Sequence, residues 1–456
     1  MLPEKFKEKM RVLLGDGYEE FEKALTEDEP VRSFRISTVK VKNPEAVKEA
    51  LADGKIPYEE NGYYLKNGIT VGRNAFHHAG AIYMQDPGAM AALSAVDIKK
   101  GARVIDLCAA PGGKSSKLAE AIGEDGFLVS NEYVPKRAKL LVGNLERLGI
   151  KNAIVTSLDT KTLAELFDGV FDLAVVDAPC SGEGMFRKSE EALTEWSEEN
   201  VKLCQQRQRE ILNNAARLVK NGGTLLYSTC TFSVEENEDN VLWFLNEHED
   251  FTLLPVKETL LPYTAPAVVK DGAPDELSVC ARRFYPHIAK GEGQFVALFK
   301  KSGTAGEGEF LYKDRSIEPS KTELNAAYDF LRDTLVKIPD ARITKQGENL
   351  VLISHGCPVP PKSVFLSGVL LGEMRGKLIF PSHHFFSAYG ELFKNKIDLD
   401  PCDEKLEKYL RGEEIPAPKD MKGWCAVCVS GITIGGAKAS CGTAKNHYPK
   451  GLRNKD

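Results

Sequence analysis

Between Lys99 and Lys300 the sequence alternates short apolar runs with helix-like stretches, and this alternation constrains the fold more than any other feature. ARVIDL (102–107), FLVSN (127–131), AIVTS (153–157) and FDLAVVD (171–177) are strand-length runs rich in aliphatic and β-branched residues. A glycine turn and a helix from Lys114 follow the first run. The amphipathic stretch VPKRAKLLVGNLERLG (134–149) follows the second. A helix over about Trp196 to Val219, ended by NGG at 221–223, leads into TLLY (224–227), and GQFVALFK (293–300) reads as a last strand. Strands joined through helices require crossover connections, which predicts an α/β fold with a parallel, doubly wound sheet. Such a sheet gathers its ligands at the carboxyl ends of its strands.

At 456 residues the chain exceeds one ordinary core, and roughly two to four domains are expected. KSGTAGEGE (301–309) is small, polar and glycine-rich, as linkers are. Beyond Phe310 two helical segments mix with short strands, and WCAVCVSGITIGG (424–436) reads as all-β. The divisions expected are 1–98, 99–302, 310–372 and 373–456. No apolar run approaches the length of a membrane span, and the N-terminus lacks a signal-peptide core, so a cytoplasmic protein is expected. Ten scattered cysteines fit reduced thiols better than a disulfide framework. The net charge of −6 does not advertise nucleic-acid binding, but its distribution is uneven. Gly436–Asp456 holds five Lys or Arg and one acid, and VRSFRISTVKVK (31–42) is a second basic stretch. Either is a solvated face or a phosphate-binding surface. No symmetric interface signature stands out, so a monomer is expected.

DLCAAPGGKSS (106–116) links the first strand to its helix. Its small residues and two glycines allow close approach of a ligand, and the helix N-terminus attracts negative charge. A phosphate-binding Walker loop would need glycine where Cys108 stands, and the G-x-G-x-x-G spacing of dinucleotide folds is absent. A smaller nucleoside ligand with a carboxylate remains. Glu132, at the end of the second strand, suits ribose hydroxyls, and Asp159, after the third, is placed to meet an adenine edge. These are the requirements for S-adenosylmethionine.

Two cysteines stand at strand ends. DAPCSGEGMFRK (177–188) places Asp177 and Cys180 at the tip of the fourth strand, and YSTCTFSVEENE (227–238) places Cys230 at the tip of the next. A free cysteine is most often a small buried hydrophobe. In the common doubly wound order, however, these two tips are neighbours facing the crevice. Ser233 followed by Glu236 is a capping-box pattern, predicting a helix from Ser233 whose N-terminal end would favour a thiolate at Cys230.

DLCAAPGGK, DAPCSGEG, YSTCTFSVEENE and YMQDPGAM (83–90) together resemble the Nol/Nop/Sun family of RNA cytosine-C5 methyltransferases. SFRISTVK (33–40) resembles that family's Arg-x-Asn-Thr element. HHFFSAYG (383–390) and KNHYPKGLR (445–453) resemble its bacterial RsmF/YebU-like branch, which modifies small-subunit ribosomal RNA. The resemblance implies a Rossmann-like S-adenosylmethionine-dependent core, an N-terminal α+β RNA-contacting domain, and C-terminal α+β and PUA-like β domains. It implies Cys230 as the nucleophile that adds to C6 of cytosine, making C5 reactive, with Asp177 assisting at N3. Cys180 would aid release of the product, and Lys114 would contribute to the electrostatics of the site. The cofactor residues carried over are Cys108, Ala109, Ala110, Pro111, Gly112, Gly113, Lys114, Glu132, Arg137, Asp159 and Asp177. The expected partner is 16S ribosomal RNA or the small ribosomal subunit, met by Arg35, Lys188, Lys445, Tyr448, Lys450 and Arg453. Val234, Ser37, Ser157 and Leu158 depart from the family pattern, which usually has Pro, Asn and an Asn-His pair at these places.

Other readings compete with this one. Transfer RNA is an alternative substrate, and an assembly factor with vestigial methyl transfer is an alternative function. A DNA cytosine methyltransferase conflicts with the motif order, since those enzymes use the Pro-Cys thiol as nucleophile. Cys425, Cys428, Cys441 and His447 have spacing compatible with a zinc site. Because WCAVCVSG reads as a strand, residues three apart should face opposite ways, and no metal is expected. His383 and His384 are expected to face RNA or to pack.

Overall fold

The structure is a computed structural model that describes residues 2–269, 274–304, 306, 308, 310–354, 356 and 358–454. Its centre is a ten-stranded sheet. Six strands form its body: β1 (Arg103–Asp106), β2 (Phe127–Asn131), β3 (Ala153–Thr156), β4 (Phe171–Asp177), β5 (Val219–Thr229) and β6 (Gln294–Lys301). Their order is β3-β2-β1-β4-β5-β6; the first five are parallel and β6 is antiparallel. Crossover helices α1 (Gly113–Ile122), α2 (Pro135–Arg147), α3 (Thr160–Leu166) and α4 (Glu198–Leu218) cover its faces. The Rossmann-like reading therefore holds. Strand β4 reads FDLAVVD because it is buried on both sides, with alternate residues entering two separate apolar clusters. The strand order reverses between β1 and β4, where a ligand crevice opens at the carboxyl ends.

The N-terminal part is α+β. Helices Glu4–Leu14 and Tyr18–Thr26 precede a four-stranded antiparallel sheet built from residues 33–36, 52–55, 62–65 and 82–84. The helices bury Phe6 and Phe21 against Phe186 and Phe232, the aromatic residues that follow Cys180 and Cys230. The C-terminal part has a four-stranded sheet over residues 342–381 and a five-stranded sheet over residues 396–446. Strand Val369–Arg375 runs across the division expected at 372, and Val364–Ser367 pairs with β3 as an edge of the central sheet. Residues 310–372 are thus woven into their neighbours. The proposed linker 301–309 lies partly outside the described residues; its Gly308 carbonyl accepts from Arg103 at 3.1 Å. Among the described residues no helix is long and apolar enough to cross a membrane, and nine cysteines are free thiols.

The basic stretch 31–42 pairs with groups of the same chain, two of its cations inside the protein and two at its surface. Lys40 Nζ donates to the carbonyls of Ser387 and Thr433 at 2.7 and 3.0 Å, and burial pushes its ammonium down to about 7. Lys42 pairs with Glu391 at 2.6 Å. The N-terminal sheet and the last sheet share one apolar cluster, in which Phe34 and Ile36 meet Ile397, Tyr409 and Ile434. Arg35, expected to touch RNA, is 2% exposed. Its guanidinium pairs with Glu120 and donates to Ser116, both on α1, at 2.6 Å each. Arg35 therefore fastens the N-terminal sheet to the helix that follows the glycine turn.

Removing one partner of a buried pair leaves an uncompensated charge, at a cost of about 3–5 kcal/mol. Arg35→Ala should lower stability in urea denaturation by that amount; a loss below about 1 kcal/mol would contradict the structural role.

Candidate active site

Strand β1 ends at Asp106, and the turn that follows carries a cis Ala110–Pro111 bond and Gly112 at φ 115°. Only glycine adopts that conformation without strain. At Gly113 the constraint is space, since a Cβ would stand 2.9 Å from the Tyr83 ring and 3.0 Å from Gln85. The YMQDPGAM segment thus presses against the turn. Asp106 lies beneath it, fully buried, and accepts from Ser115 Oγ at 2.7 Å; burial pushes its carboxyl up to about 7.

A cleft of about 800 Å³ opens over the strand ends and is lined by Cys108, Ala110, Glu132, Arg137 and Asp159 on one side and Asp177, Cys180 and Cys230 on the other. Ala109, Pro111, Gly112, Gly113 and Lys114 continue the same turn into α1. Glu132 is 4% exposed; it accepts the Val134 N–H at 3.0 Å and lies 3.5 Å from Arg137, which donates to the Ala110 carbonyl. Asp159 spends both carboxylate oxygens on Thr162, capping α3, and the Thr162 N–H holds its carboxyl below the usual range. Burial pushes the Cys108 thiol up, with Asp106 adding to the effect.

Parallel pairing sets Asp177 of β4 level with Ser228 of β5. The two loops beyond therefore leave the sheet side by side, and the Cys180 and Cys230 sulfurs are 3.2 Å apart. The contact with Cys230, with burial second, holds the Cys180 thiol well above its usual range. Lys114 Nζ pairs with Asp177 Oδ2 at 2.8 Å, while Asp177 Oδ1 accepts from Ser228 Oγ at 2.7 Å and Gln294 Nε2 at 3.3 Å. The carboxylate is anchored at both oxygens, with its remaining acceptor capacity toward the cleft.

The helix expected from Ser233 begins instead at Glu238, with Asn237 as its N-cap residue. Ser233 Oγ does accept the Glu236 N–H at 3.2 Å. The Glu236 side chain does not return to Ser233. It turns to Ser181 and Gln208, leaving 230–237 as a hydrogen-bonded loop.

Several residues in and around the cleft escaped the sequence reading. Asn131 donates to the Leu107 and Leu158 carbonyls and so ties three strand-end loops together. Ser228 could have been found, because strand alternation places it on the same side as Cys230. Gln294 arrives through antiparallel pairing of β6, which leaves no local signal. Arg207, on α4, is exposed at the cleft beside the two cysteines.

The expected RNA-contacting residues are scattered. Tyr448 is 2% exposed, with its hydroxyl 2.8 Å from His78 Nδ1, so it offers no stacking face. Lys188 is held between Asp86 and Glu292 at 3.0 and 3.1 Å. Arg453 donates twice to the Tyr448 carbonyl. Lys445 and Lys450 are exposed. His384 is buried with Nε2 3.0 Å from the Ile150 carbonyl, and burial holds both His383 and His384 low. Cys425 and Cys428 face opposite sides of their strand and enter different apolar clusters.

Three family models match the chain: the N-terminal domain of 16S rRNA methyltransferase RsmF over residues 2–87, 16S rRNA methyltransferase RsmB/F over 93–300, and the methyltransferase RsmF PUA domain over 394–454. The ribosomal RNA small subunit methyltransferase F of Shigella boydii is 32% identical over 450 residues, covering 92% of this chain and 90% of that protein. Its counterpart in Erwinia tasmaniensis is 29% identical over 479 residues, covering 99% and 96%. A methyltransferase homologue from Pyrococcus horikoshii has a solved structure that is 30% identical, with a TM-score of 0.58, over 66% of this chain and 95% of that one. NSun6 from the same organism shares the fold at 21% identity, with a TM-score of 0.54, over 66% and 99%. Glycine turn, paired cysteine loops and C-terminal β module all lie within the matched segments, and the chain belongs to the RsmF family of small-subunit ribosomal RNA methyltransferases.

Proposed function

We propose that this protein methylates C5 of a cytosine in 16S ribosomal RNA, using S-adenosylmethionine and a covalent Cys230–C6 intermediate. One observation carries the reading: two thiols 3.2 Å apart at adjacent strand tips, in the same cleft as Asp177, whose carboxylate Lys114 pairs with at 2.8 Å. The cleft suits the cofactor. It is bounded by a glycine turn at a helix N-terminus, the buried carboxylate of Glu132, and Asp159 at the third strand. These groups, with Cys108, Ala110 and Arg137, would hold the cofactor's nucleoside and amino-acid portions. When bound, S-adenosylmethionine supplies an electrophilic methyl group.

The protein's own residues do the rest. Cytosine C5 is a weak nucleophile; addition of the Cys230 thiolate at C6 makes C5 enamine-like. The charge that develops toward N3 needs an acid or hydrogen-bond partner, and Asp177 at the strand tip would be the group that meets it. Lys114 and Ser228 hold Asp177 in one orientation. Cys180, kept as a thiol by its surroundings, stands where it can take part in removing H5 or expelling Cys230. The target base must leave its stack to reach the sulfur.

The RNA would be held outside the cleft as well. Exposed Lys377, Lys422, Lys438 and Lys445 surround Phe380 and Trp424 on two adjoining hollows of about 540 and 570 Å³. Lys438 Nζ lies 5.3 Å from the Trp424 ring centre and Arg375 lies 4.3 Å from that of Phe380. Cations beside partly exposed aromatic rings suit phosphates and unstacked bases. A ribosomal substrate follows from the activity for which the relatives are named.

Labelled S-adenosylmethionine incubated with assembled small subunits, stripped 16S RNA and bulk transfer RNA should mark a cytosine of the ribosomal substrate; label confined to transfer RNA would overturn the substrate assignment. Cys230→Ala should abolish both methylation and the denaturant-resistant RNA adduct, whereas Cys180→Ala should let that adduct accumulate. An adduct persisting in Cys230→Ala would reverse the two roles. Lys422→Gln with Lys438→Gln should reduce the slope of log affinity against log salt by about 1–2 and leave kcat at saturating RNA unchanged.

A further inference from the structure

Glu236 is fully buried between the two cysteine loops, 0% exposed, and belongs to neither the cleft lining nor a helix cap. Its carboxylate accepts from the Ser181 N–H at 3.1 Å, from Ser181 Oγ, and from Gln208 Nε2 at 2.7 Å. Gln208 also donates to the Pro179 carbonyl at 3.0 Å, and its Oε1 accepts from Asn240 at 2.8 Å and from Tyr227 at 3.2 Å. Ser181 Oγ lies 2.9 Å from Thr231 Oγ1. Pro179 and Ser181, on either side of Cys180, are therefore held through one amide of α4 and one carboxylate of the loop after Cys230, and Ser181 also meets Thr231 directly. Both loops are fixed elsewhere too. The Phe232 N–H donates to Glu183 at 2.9 Å, the Phe232 carbonyl accepts from Arg283 at 2.7 Å, and the Gly184 N–H donates to the Cys230 carbonyl at 2.8 Å.

From this geometry we infer that Glu236 is a positioning residue: it ties the Pro179–Ser181 segment to the loop after Cys230 and so keeps the two thiols in contact. The inference rests on the reading of Cys180 and Cys230 as the working pair. A carboxylate accepts all three donors at once, whereas an amide would turn its NH2 toward one of them and reverse or break the bond from Ser181 Oγ. Burial, with the Glu183 carboxylate adding, pushes its carboxyl up to about 7 while the three donors pull the other way. A displacement near 1 Å at a reacting atom costs on the order of 100-fold in rate.

The test uses the full chain with Glu236→Gln. Diamide oxidises two adjacent thiols to a disulfide, taking up their two hydrogens itself, and a non-reducing peptide map reads the Cys180–Cys230 cross-link. The variant should cross-link at least about tenfold more slowly than the parent and lose about 10–100-fold in kcat, with KM for the cofactor and for RNA within about twofold. Cross-linking at the parental rate with unchanged kcat would overturn the inference. If Glu236→Gln does not fold, Ser181→Ala, which removes one of the three donors and the link to Thr231, should show the same slowing to a smaller degree, and parental behaviour there would equally overturn it. The cross-link needs no methyl transfer. A parent protein that methylates nothing, with slowed cross-linking in the variant, would sink the catalytic reading while the positioning role stood.

Discussion

Parallel pairing of β4 with β5 is the constraint on which the site depends. Once Asp177 and Ser228 share a register position, the chain has no choice but to leave two cysteine-bearing loops side by side at the sheet edge. Sequence separation between the two thiols is 50 residues, yet the backbone ladder brings their sulfurs together without either loop being long. Everything nearer the chemistry refines that placement. Lys114 comes from the β1 side and Gln294 from the antiparallel strand beyond β5, and the two grip Asp177 from opposite directions. Charge that would be costly alone at the crevice is compensated by partners from one helix and two strands.

The N-terminal part contributes support more than contact. Its two helices place Phe6 and Phe21 against Phe186 and Phe232, so an aromatic cluster braces both loops from outside the sheet. Its sheet delivers Arg35 to α1 and Tyr83 and Gln85 to the glycine turn. A segment rich in arginine and lysine thus acts as an internal fastener, and its positive charges end on carboxylates and carbonyls of the same chain.

What could be read from the sequence was local and periodic. Runs such as FLVSN and FDLAVVD became strands with those same limits, because continuous apolar character and β-branching act within a few residues. The glycine turn was equally legible, since backbone approach demands small residues wherever it occurs. Partners chosen across long distances left no local trace. Glu236 matched a helix-cap pattern with Ser233, but Ser181 and Gln208, brought in by the sheet, compete better for its carboxylate. Tyr448 sat in a basic tail that looked exposed, and packing against His78, His383 and Tyr409 buries it. Charge reads as surface until the tertiary structure supplies an acid opposite.

The shared apolar cluster between the first sheet and the last has a consequence for synthesis. His78 and Tyr448, which meet in it, are 370 residues apart. At ribosomal elongation rates that interval corresponds to roughly 20–70 s. During that time Phe34, Ile36 and their neighbours have only the cover that residues 41–82 supply, and the side later filled by Ile397, Tyr409 and Ile434 stays open. Folding is therefore circular, in that residues 33–36 gain their full cover only once residues 397–448 have been made.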